Sequence, residues 1–400
     1  MVDSAYAWAR LGIALIVCTI GGVGFWSVVV ALPAVQAEFG VDRGAASLPY
    51  TLTMLGYAAG GVLMGRLADR VGVARPIAFG GAMLGLGYIA SGLSGALWQF
   101  ILAHGVLIGL LGSSSTFGPL VADTTLWFNR HRGVAVAVCA SGNYLAGTIW
   151  PAVVQSLISA FGWRWTHIGI GLFCIATVLP LSLLLRRRAS LEAATPAAAG
   201  RAPVIVPVSP NALQALLTIA GLACCIAMSM PQVHIVAYCG DLGYGVARGA
   251  EMLSLMLGFG VISRLGSGFI ADRIGGLPTL LLGSALQMAA LVIYLGLNGL
   301  TSLYVVSALF GLFQGGIVPS YAIIIREYFP AREAAARFGI VIMATLVGMA
   351  LGGWMSGVIF DLTGSYRAAF ANGVAWNALN AGIALMLLRR LRPQPQLSAI

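Results

Sequence analysis

Long apolar runs alternate with short polar connections along the whole chain. Most runs reach about twenty residues, the length at which a helix crosses ~30 Å of hydrocarbon. A spanning segment must satisfy its backbone hydrogen bonds internally, so each run is expected to be a helix. The pattern therefore predicts an all-α membrane protein with twelve transmembrane helices. Their predicted bounds are 10–36, 46–68, 74–94, 98–123, 133–160, 166–186, 211–239, 249–271, 277–297, 300–326, 336–362 and 366–389.

The composition excludes a water-soluble fold. Only 8% of the residues are charged, whereas a soluble domain carries about 25%. All 22 basic residues are arginine, and 17 of them fall in connections on the side of the two termini. By the positive-inside rule, both termini are then cytoplasmic, and the net charge of +10 reflects topology rather than nucleic-acid binding. We expect a monomeric, multi-pass protein of the bacterial cytoplasmic (inner) membrane.

The sequence repeats itself. "GRLADRVG" at 65–72 returns as "GFIADRIG" at 268–275, and "FGVDRGAA" at 39–46 returns as "YGVARGAE" at 244–251. Repeats in the same order predict two homologous six-helix bundles. The expected division is a first bundle at 1–186, a cytoplasmic linker at 187–210 and a second bundle at 211–400.

The repeated "GRLADRVG" stretch resembles the signature of major facilitator transporters between their second and third helices. The resemblance implies two bundles that rock about a central site, with this motif as a gating contact. A charged loop that only ends the helix is the structural alternative. The residues of the predicted gating motif are Gly65, Asp69, Arg70 and Gly72, with Gly268, Asp272 and Arg273 in the second bundle.

The stretch "WFNRHRGVAVAVCASGNYLAGTIWP" at 127–151 is similar to the start of the fifth helix in monocarboxylate transporters and oxalate/formate exchangers. Its shared features are an aromatic pair, a basic cluster and small residues at helical spacing. Small residues let helices pack closely, which accounts for most of the motif. The stretch therefore indicates kinship, and it implies a carrier of small organic anions.

Arg264 lies inside the eighth apolar run. A guanidinium at the centre of a membrane helix costs about 2.5–3.5 kcal/mol on insertion scales, so it needs a partner or a water-filled cavity. One interpretation is an ion pair with Asp123 or Asp361. The other is a two-point contact with a substrate carboxylate. The resemblance favours the second, because these families carry a substrate-binding arginine on the eighth helix.

The chain departs from the family around this arginine. Vertebrate members have an aspartate one turn earlier, where Gly260 stands here. The family's lysines on the first helix, and on the eleventh in the oxalate exchanger, are absent. One cavity cation favours a monoanion over a dianion.

Proton coupling has two candidate residues. Asp241 resembles an acidic position of bacterial monocarboxylate carriers, and His234 can titrate near neutral pH; Glu251 is a weaker third candidate. The structural alternatives are a turn cap for Asp241 and a hydrogen bond at a helix crossing for His234.

Further substrate-binding candidates, chosen as polar or aromatic residues in helices four, five and ten, are Phe117, Asn143, Tyr144, Gln314 and Tyr321. Trp26 and Gln232 belong to the same class.

The function predicted from these features is secondary active transport of a small organic anion, a monocarboxylate, with proton coupling by alternating access. An anion–anion exchanger is the first alternative, and drug efflux or a scaffold is less consistent with a positive cavity and little extramembrane chain. No metal or cofactor is expected, because the six cysteines lack metal-binding spacing. An enzyme is not expected, because no nucleophile–base pair or phosphate-binding loop is present.

Overall fold

The computed structural model describes residues 3–187 and 209–390, and the regular elements in these ranges are all helices. The predicted linker at 187–210 falls almost entirely outside the described residues. Nine of the described helical segments are long and apolar enough to cross a membrane by length and composition. One of the nine, Gly133–Leu184, has 52 residues. A straight helix of that length would measure ~78 Å, about twice a bilayer. Its backbone leaves the helical region at Gly162, with φ 77°, which divides it into two crossings.

Two less apolar helices, Arg43–Val71 and Ala74–Gly92, complete the set of twelve. The first six segments are α1 (Ala5–Phe39), α2 (Arg43–Val71), α3 (Ala74–Gly92), α4 (Leu97–Trp127), α5 (132–161) and α6 (163–184). The second six are α7 (Pro210–Asp241), α8 (Val246–Ile274), α9 (Gly276–Gly296), α10 (Leu300–Tyr328), α11 (Ala331–Thr363) and α12 (Tyr366–Arg390). The predicted all-α fold with twelve membrane helices is thereby confirmed.

Helices α4 and α10 are each interrupted near the middle of their length. In α4, a π-helix at Ala103–Gly112 and a 3₁₀ turn at Ser113–Thr116 precede a new helix that begins after Phe117. In α10, the break lies between Leu300–Gln314 and Ile317–Tyr328. Breaks of this kind are tolerated in a membrane where the backbone is buried in protein or faces a cavity.

Small residues set the closest helix contacts. A Cβ added at Gly311 of α10 would lie 1.9 Å from the Met256 carbonyl of α8, and one at Gly56 of α2 would lie 2.2 Å from the Gly105 carbonyl of α4. The two bundles meet chiefly through α2 against α11 and α5 against α8. These contacts place the central cavity between the bundles.

The two copies of the gating motif end their helices in the same way. Gly72 has φ 83° and Gly275 has φ 88°, values that favour glycine. Each backbone N–H donates to the carbonyl four residues earlier, Ala68 or Ala271, at 2.8 Å.

A central cavity with one unpaired arginine

A cavity of about 400 Å³ lies between the two bundles. Helices α1, α2, α4 and α5 line it from one side, and α7, α8, α10 and α11 line it from the other. The cavity wall includes four of the predicted substrate-binding residues and the two residues of the same class. These six are Phe117, Asn143, Tyr144, Arg264, Trp26 and Gln232.

The Arg264 guanidinium faces this cavity without a carboxylate partner among the described residues. Its Nη1 lies 3.5 Å from the Ala140 carbonyl, beyond the usual range of about 2.7–3.2 Å. Its Nε is buried and has no hydrogen-bond partner in the described chain. The guanidinium therefore keeps donors free for a bound anion.

The closest stabilising contact of Arg264 is an aromatic ring. Its Cζ lies 4.5 Å from the centre of the Tyr144 ring, a cation–π geometry. Gly260 makes this possible, because a Cβ there would lie 2.4 Å from the Tyr144 ring. The glycine that replaces the family's aspartate thus admits a ring that stabilises the cation without neutralising it.

Both carboxylates considered as structural partners of Arg264 are used elsewhere. Asp123 accepts from Nε and Nη2 of Arg10 at 3.0 and 2.8 Å. Asp361 accepts from the backbone N–H groups of Arg43 and Gly44 at 2.9 and 2.7 Å. The ion-pair interpretation of Arg264 therefore fails for both candidates.

Two predicted substrate-binding residues lie away from the cavity wall in this conformation. Gln314 is fully buried and accepts a hydrogen bond from Gln232 Nε2 at 2.9 Å. Tyr321 is also fully buried and donates to Asn380 Oδ1 at 3.0 Å. Gln314 therefore orients a cavity residue, and Tyr321 holds α10 against α12.

The structure adds two cavity tyrosines that the sequence did not single out, Tyr50 and Tyr57. Tyr50 of α2 lines the cavity, and its hydroxyl is buried without a hydrogen-bond partner in the described chain. The indole N–H of Trp26 and the side-chain oxygen of Asn143 share this state. Buried polar atoms normally have partners, so these three atoms mark places where water or a ligand would bind. Nothing in the local pattern distinguishes Tyr50 from a packing aromatic.

The end of the cavity away from the termini is closed by a polar contact between the bundles. We call Arg43, Asp241, Asp361 and Tyr366 the gate. Nη1 of Arg43 lies 3.0 Å from Asp241 Oδ2 and 2.6 Å from the Tyr366 hydroxyl, and Nη2 lies 3.2 Å from Asp241 Oδ1. Arg43 belongs to the first bundle, and its partners belong to the second.

His234 extends the gate into the second bundle. Its Nε2 donates to the Gly353 carbonyl at 2.7 Å, and its Nδ1 lies 3.1 Å from the Tyr366 hydroxyl. This arrangement fits a neutral ring that accepts from Tyr366, whose oxygen accepts from Arg43. The two predicted proton-coupling residues, Asp241 and His234, therefore meet at the gate rather than in the cavity.

The cavity continues toward its other end. Its wall extends to Val62 of α2 and Gly339 of α11, near the end that carries the termini. The charged residues of the gating motif are exposed there: Asp69, Arg70, Asp272 and Arg273. A Cβ added at Gly65 or Gly268 would meet no atom of the described residues within 4 Å, so neither glycine is at a close contact with this part of the chain.

Comparison with known proteins agrees with this architecture. The sequence profile of the Major Facilitator Superfamily matches residues 14–302 and 279–399. Monocarboxylate transporter 13 of Bos taurus is 26% identical over 327 residues, covering 80% of this chain and 75% of the relative. The MFS-type transporter pynF of Aspergillus niger is 24% identical over 308 residues, covering 76% of this chain and 69% of the relative.

Solved structures share the fold at low identity. A bacterial homologue of the human lysosomal transporter Spinster, in an inward-facing and occupied conformation, matches with a TM-score of 0.73 at 14% identity, covering 98% of this chain and all of the other. The nucleoside transporter NupG matches with a TM-score of 0.75 at 12% identity, covering 95% and 99%. The chain therefore belongs to the Major Facilitator Superfamily, as a secondary transporter that resembles the monocarboxylate transporter group.

Proposed function

We propose that this transporter carries a small organic anion, a monocarboxylate, together with a proton, by alternating access. The observation that carries the proposal is Arg264, a guanidinium that faces the cavity and has a ring beside it but no carboxylate partner in the described parts of the chain. A planar guanidinium binds a carboxylate through two parallel hydrogen bonds. Hydrogen bonds to charged groups contribute about 1.5–3 kcal/mol each. The carboxylate would thereby offset the cost of the buried charge.

Asn143, Tyr144 and Phe117 complete the proposed substrate-binding set on the first bundle. Asn143 and Tyr144 lie on α5, opposite Arg264 on α8. Phe117 lies at the break of α4. A substrate held between α5 and α8 would contact both bundles, as a carrier that rocks around a central site requires. Gln314 supports Gln232, and Tyr321 holds its helix in place.

The proposed proton-coupling residue is Asp241. Protonation of Asp241 would remove the negative charge that pairs with Arg43. It would thereby weaken the gate, which lies at the end of the cavity away from the termini. His234 already donates at Nε2 and accepts at Nδ1, so a second ring proton would require Tyr366 to turn its hydroxyl away. Asp241 therefore responds to a proton with less rearrangement.

We further propose a monomer in the bacterial cytoplasmic membrane, with both termini inside. The excess of arginine on that side supports this orientation. In that orientation the end of the cavity near Val62 and Gly339 faces the cytoplasm, and the gate lies on the outer side. The exposed motif residues Asp69 and Asp272 would then form the closing contact on the cytoplasmic side when the gate opens.

The test is uptake of labelled carboxylates into proteoliposomes. We expect Arg264→Ala to abolish uptake and Arg264→Lys to lower it by roughly 10- to 100-fold, because an ammonium cannot reproduce the two-point contact. Arg248→Lys is the matched control, since Arg248 is exposed, lies outside the cavity wall and forms its ion pair with Glu251 on its own helix. Wild-type uptake by folded Arg264→Ala would refute the proposal. Stronger inhibition by dicarboxylates than by monocarboxylates would refute the monoanion preference.

Anion–anion exchange is the second candidate function. It is favoured by the absence of aspartate and glutamate from the described cavity wall, so that nothing acidic there could exchange protons with the substrate. Counterflow of two carboxylates that persists after collapse of the pH gradient, and that is unchanged in Asp241→Asn, would support exchange over proton coupling.

A further inference from the structure

Most of the cavity wall is apolar, although the wall carries the charge of Arg264. Apart from Arg264, the described lining is dominated by six aromatic side chains and four methionines, together with aliphatic residues. Trp26, Tyr50 and Tyr144 belong to the aromatic set, and Met343 and Met349 belong to the methionines. Such a surface provides little hydrogen bonding for a compact, strongly hydrated anion.

The cavity is also large for a three-carbon acid. A water molecule occupies about 30 Å³ of liquid, so an acid with six heavy atoms displaces roughly three waters, or ~90 Å³. The cavity of about 400 Å³ would remain mostly unfilled. Cavities of ~300–1,000 Å³ with apolar and aromatic walls and a few placed polar groups are typical of sites for larger organic ligands.

We infer that the substrate is an amphipathic monocarboxylate whose body is an aromatic ring or a similarly bulky apolar group, with the carboxylate on Arg264 and the body against the aromatic and methionine walls. The inference rests on the proposed function and specifies its substrate class. Methionine side chains adapt to the shape of an apolar ligand and make favourable contacts with aromatic rings.

Two polar atoms without hydrogen-bond partners in the described chain narrow the proposed class of substrate. The Trp26 indole N–H can only donate, and the Tyr50 hydroxyl can donate or accept. Both are buried in the wall without a hydrogen-bond partner in the described chain. A hydroxyl or carbonyl substituent on the apolar body would satisfy one of them, so ring-hydroxylated acids should bind better than their unsubstituted parents.

The test measures binding to the purified full-length protein in nanodiscs by isothermal titration calorimetry. The probes are propanoate, 3-phenylpropanoate, 3-(4-hydroxyphenyl)propanoate and the uncharged 3-phenylpropanamide. We expect 3-phenylpropanoate to bind about 10- to 100-fold more tightly than propanoate, because a phenyl ring is buried. The hydroxylated acid should bind more tightly still, and the amide at least tenfold more weakly than its acid.

Two methionine variants test where the apolar body of the substrate binds, and they leave the charge of Arg264 unchanged. Met343 is 36% exposed, so Met343→Gln changes the polarity of the wall at nearly constant size with little effect on folding. Met343→Gln and Met349→Gln should weaken 3-phenylpropanoate several-fold and leave propanoate unchanged. Arg264→Ala should abolish binding of both acids.

The outcomes separate the inference from the proposed function. If propanoate binds as tightly as 3-phenylpropanoate while Arg264→Ala abolishes both, the inference is wrong and carboxylate binding at Arg264 stands. If the amide binds as tightly as the acid, the proposed function fails. If both methionine variants leave the phenyl preference intact, the assigned wall is wrong and the inference is overturned.

Discussion

Neutralising Asp241 should open the gate. In Asp241→Asn the side chain keeps its size and one acceptor oxygen but loses its negative charge. Arg43 then retains the Tyr366 hydroxyl at 2.6 Å and loses its carboxylate partner at 3.0 Å. Because Arg43 belongs to the first bundle and Asp241 to the second, the loss acts on the equilibrium between closed and open gate rather than on either bundle alone.

The size of the effect follows from burial. The Arg43 side chain is 9% exposed and the Asp241 side chain is 37% exposed. Removing one partner of a fully buried pair costs about 3–5 kcal/mol, whereas an exposed pair contributes about 0.2–1 kcal/mol. For this intermediate pair, with one hydrogen bond kept by asparagine, we expect about 1–2 kcal/mol. That corresponds to roughly a 5- to 30-fold shift toward the open gate.

Distances between spin labels at the gate end would measure this shift. Trp98 is 62% exposed at the start of α4, and Leu362 is 81% exposed at the end of α11. The Trp98→Cys and Leu362→Cys pair therefore reports on the separation of the two bundles at that end. All six native cysteines are buried, which favours selective labelling. The longer-distance population should rise in Asp241→Asn relative to the wild type.

Glu38→Gln is the matched control. Glu38 pairs with Arg164 at 2.7 Å at the same end, but both residues belong to the first bundle, so the distances should not change. In a double-mutant cycle, Asp241→Asn should have little further effect in an Arg43→Gln background. An unchanged distance distribution in correctly folded Asp241→Asn would refute the assignment of this contact as the gate.

Further predictions concern stability. Asp123→Asn should lower the free energy of unfolding by about 3 kcal/mol, measured by thermal denaturation in detergent, because its arginine partner is buried and would lose its counter-charge. Gly311→Ala should destabilise by about 1–3 kcal/mol in the same assay, because its Cβ would overlap a carbonyl of α8, whereas Gly12→Ala, with no atom within 4 Å, should be neutral or slightly stabilising. The pKa of Asp3 is lowered from its usual value of 3.8, chiefly by the backbone N–H of Arg130. Its contact therefore stabilises the fold above that value and is lost as pH falls through the lowered pKa, so the difference in thermal midpoint between wild type and Asp3→Asn should shrink as pH decreases from neutral to about 3.

The helices could be predicted because a helix that crosses a membrane requires a long run of apolar residues, and such runs are visible in the sequence. The helix predicted at 211–239 spans Pro210–Asp241 in the structure, and the one predicted at 46–68 spans Arg43–Val71. The observed helices are longer because they continue past the apolar run into polar and charged residues. The π-helix at Ala103–Gly112 was not predictable from apolar periodicity. Its residues are as apolar as those of an ordinary membrane helix, and it packs against α2 and α3 through contacts that lie far apart in the sequence.

The candidate site was only partly visible in the sequence. Arg264 could be found because a charge within an apolar run is conspicuous, but its contact with Tyr144 joins residues 120 positions apart on different helices. Arg43 looked like an ordinary loop charge, because its partners Asp241 and Asp361 lie 198 and 318 positions away. Its repeat counterpart, Arg248, is exposed and pairs within its own helix, so the repeat also gave no indication of the gate.

Two arginine contacts bear on the proposed transport cycle: the Arg43–Asp241 pair at the gate and the proposed contact of Arg264 with a substrate carboxylate. A ligand shifts a conformational equilibrium only by its difference in affinity for the two states. A carboxylate on Arg264, at about 1.5–3 kcal/mol per charged hydrogen bond, is comparable with the ~1–2 kcal/mol expected for the Arg43–Asp241 pair. Asp361 is a poorer choice for the proton, because its protonation would remove the acceptor for two backbone N–H groups at the start of α2. Loss of the Asp241 charge leaves Arg43 with Tyr366, so under the proposed function Asp241 is the carboxylate whose protonation would weaken the gate with the least rearrangement.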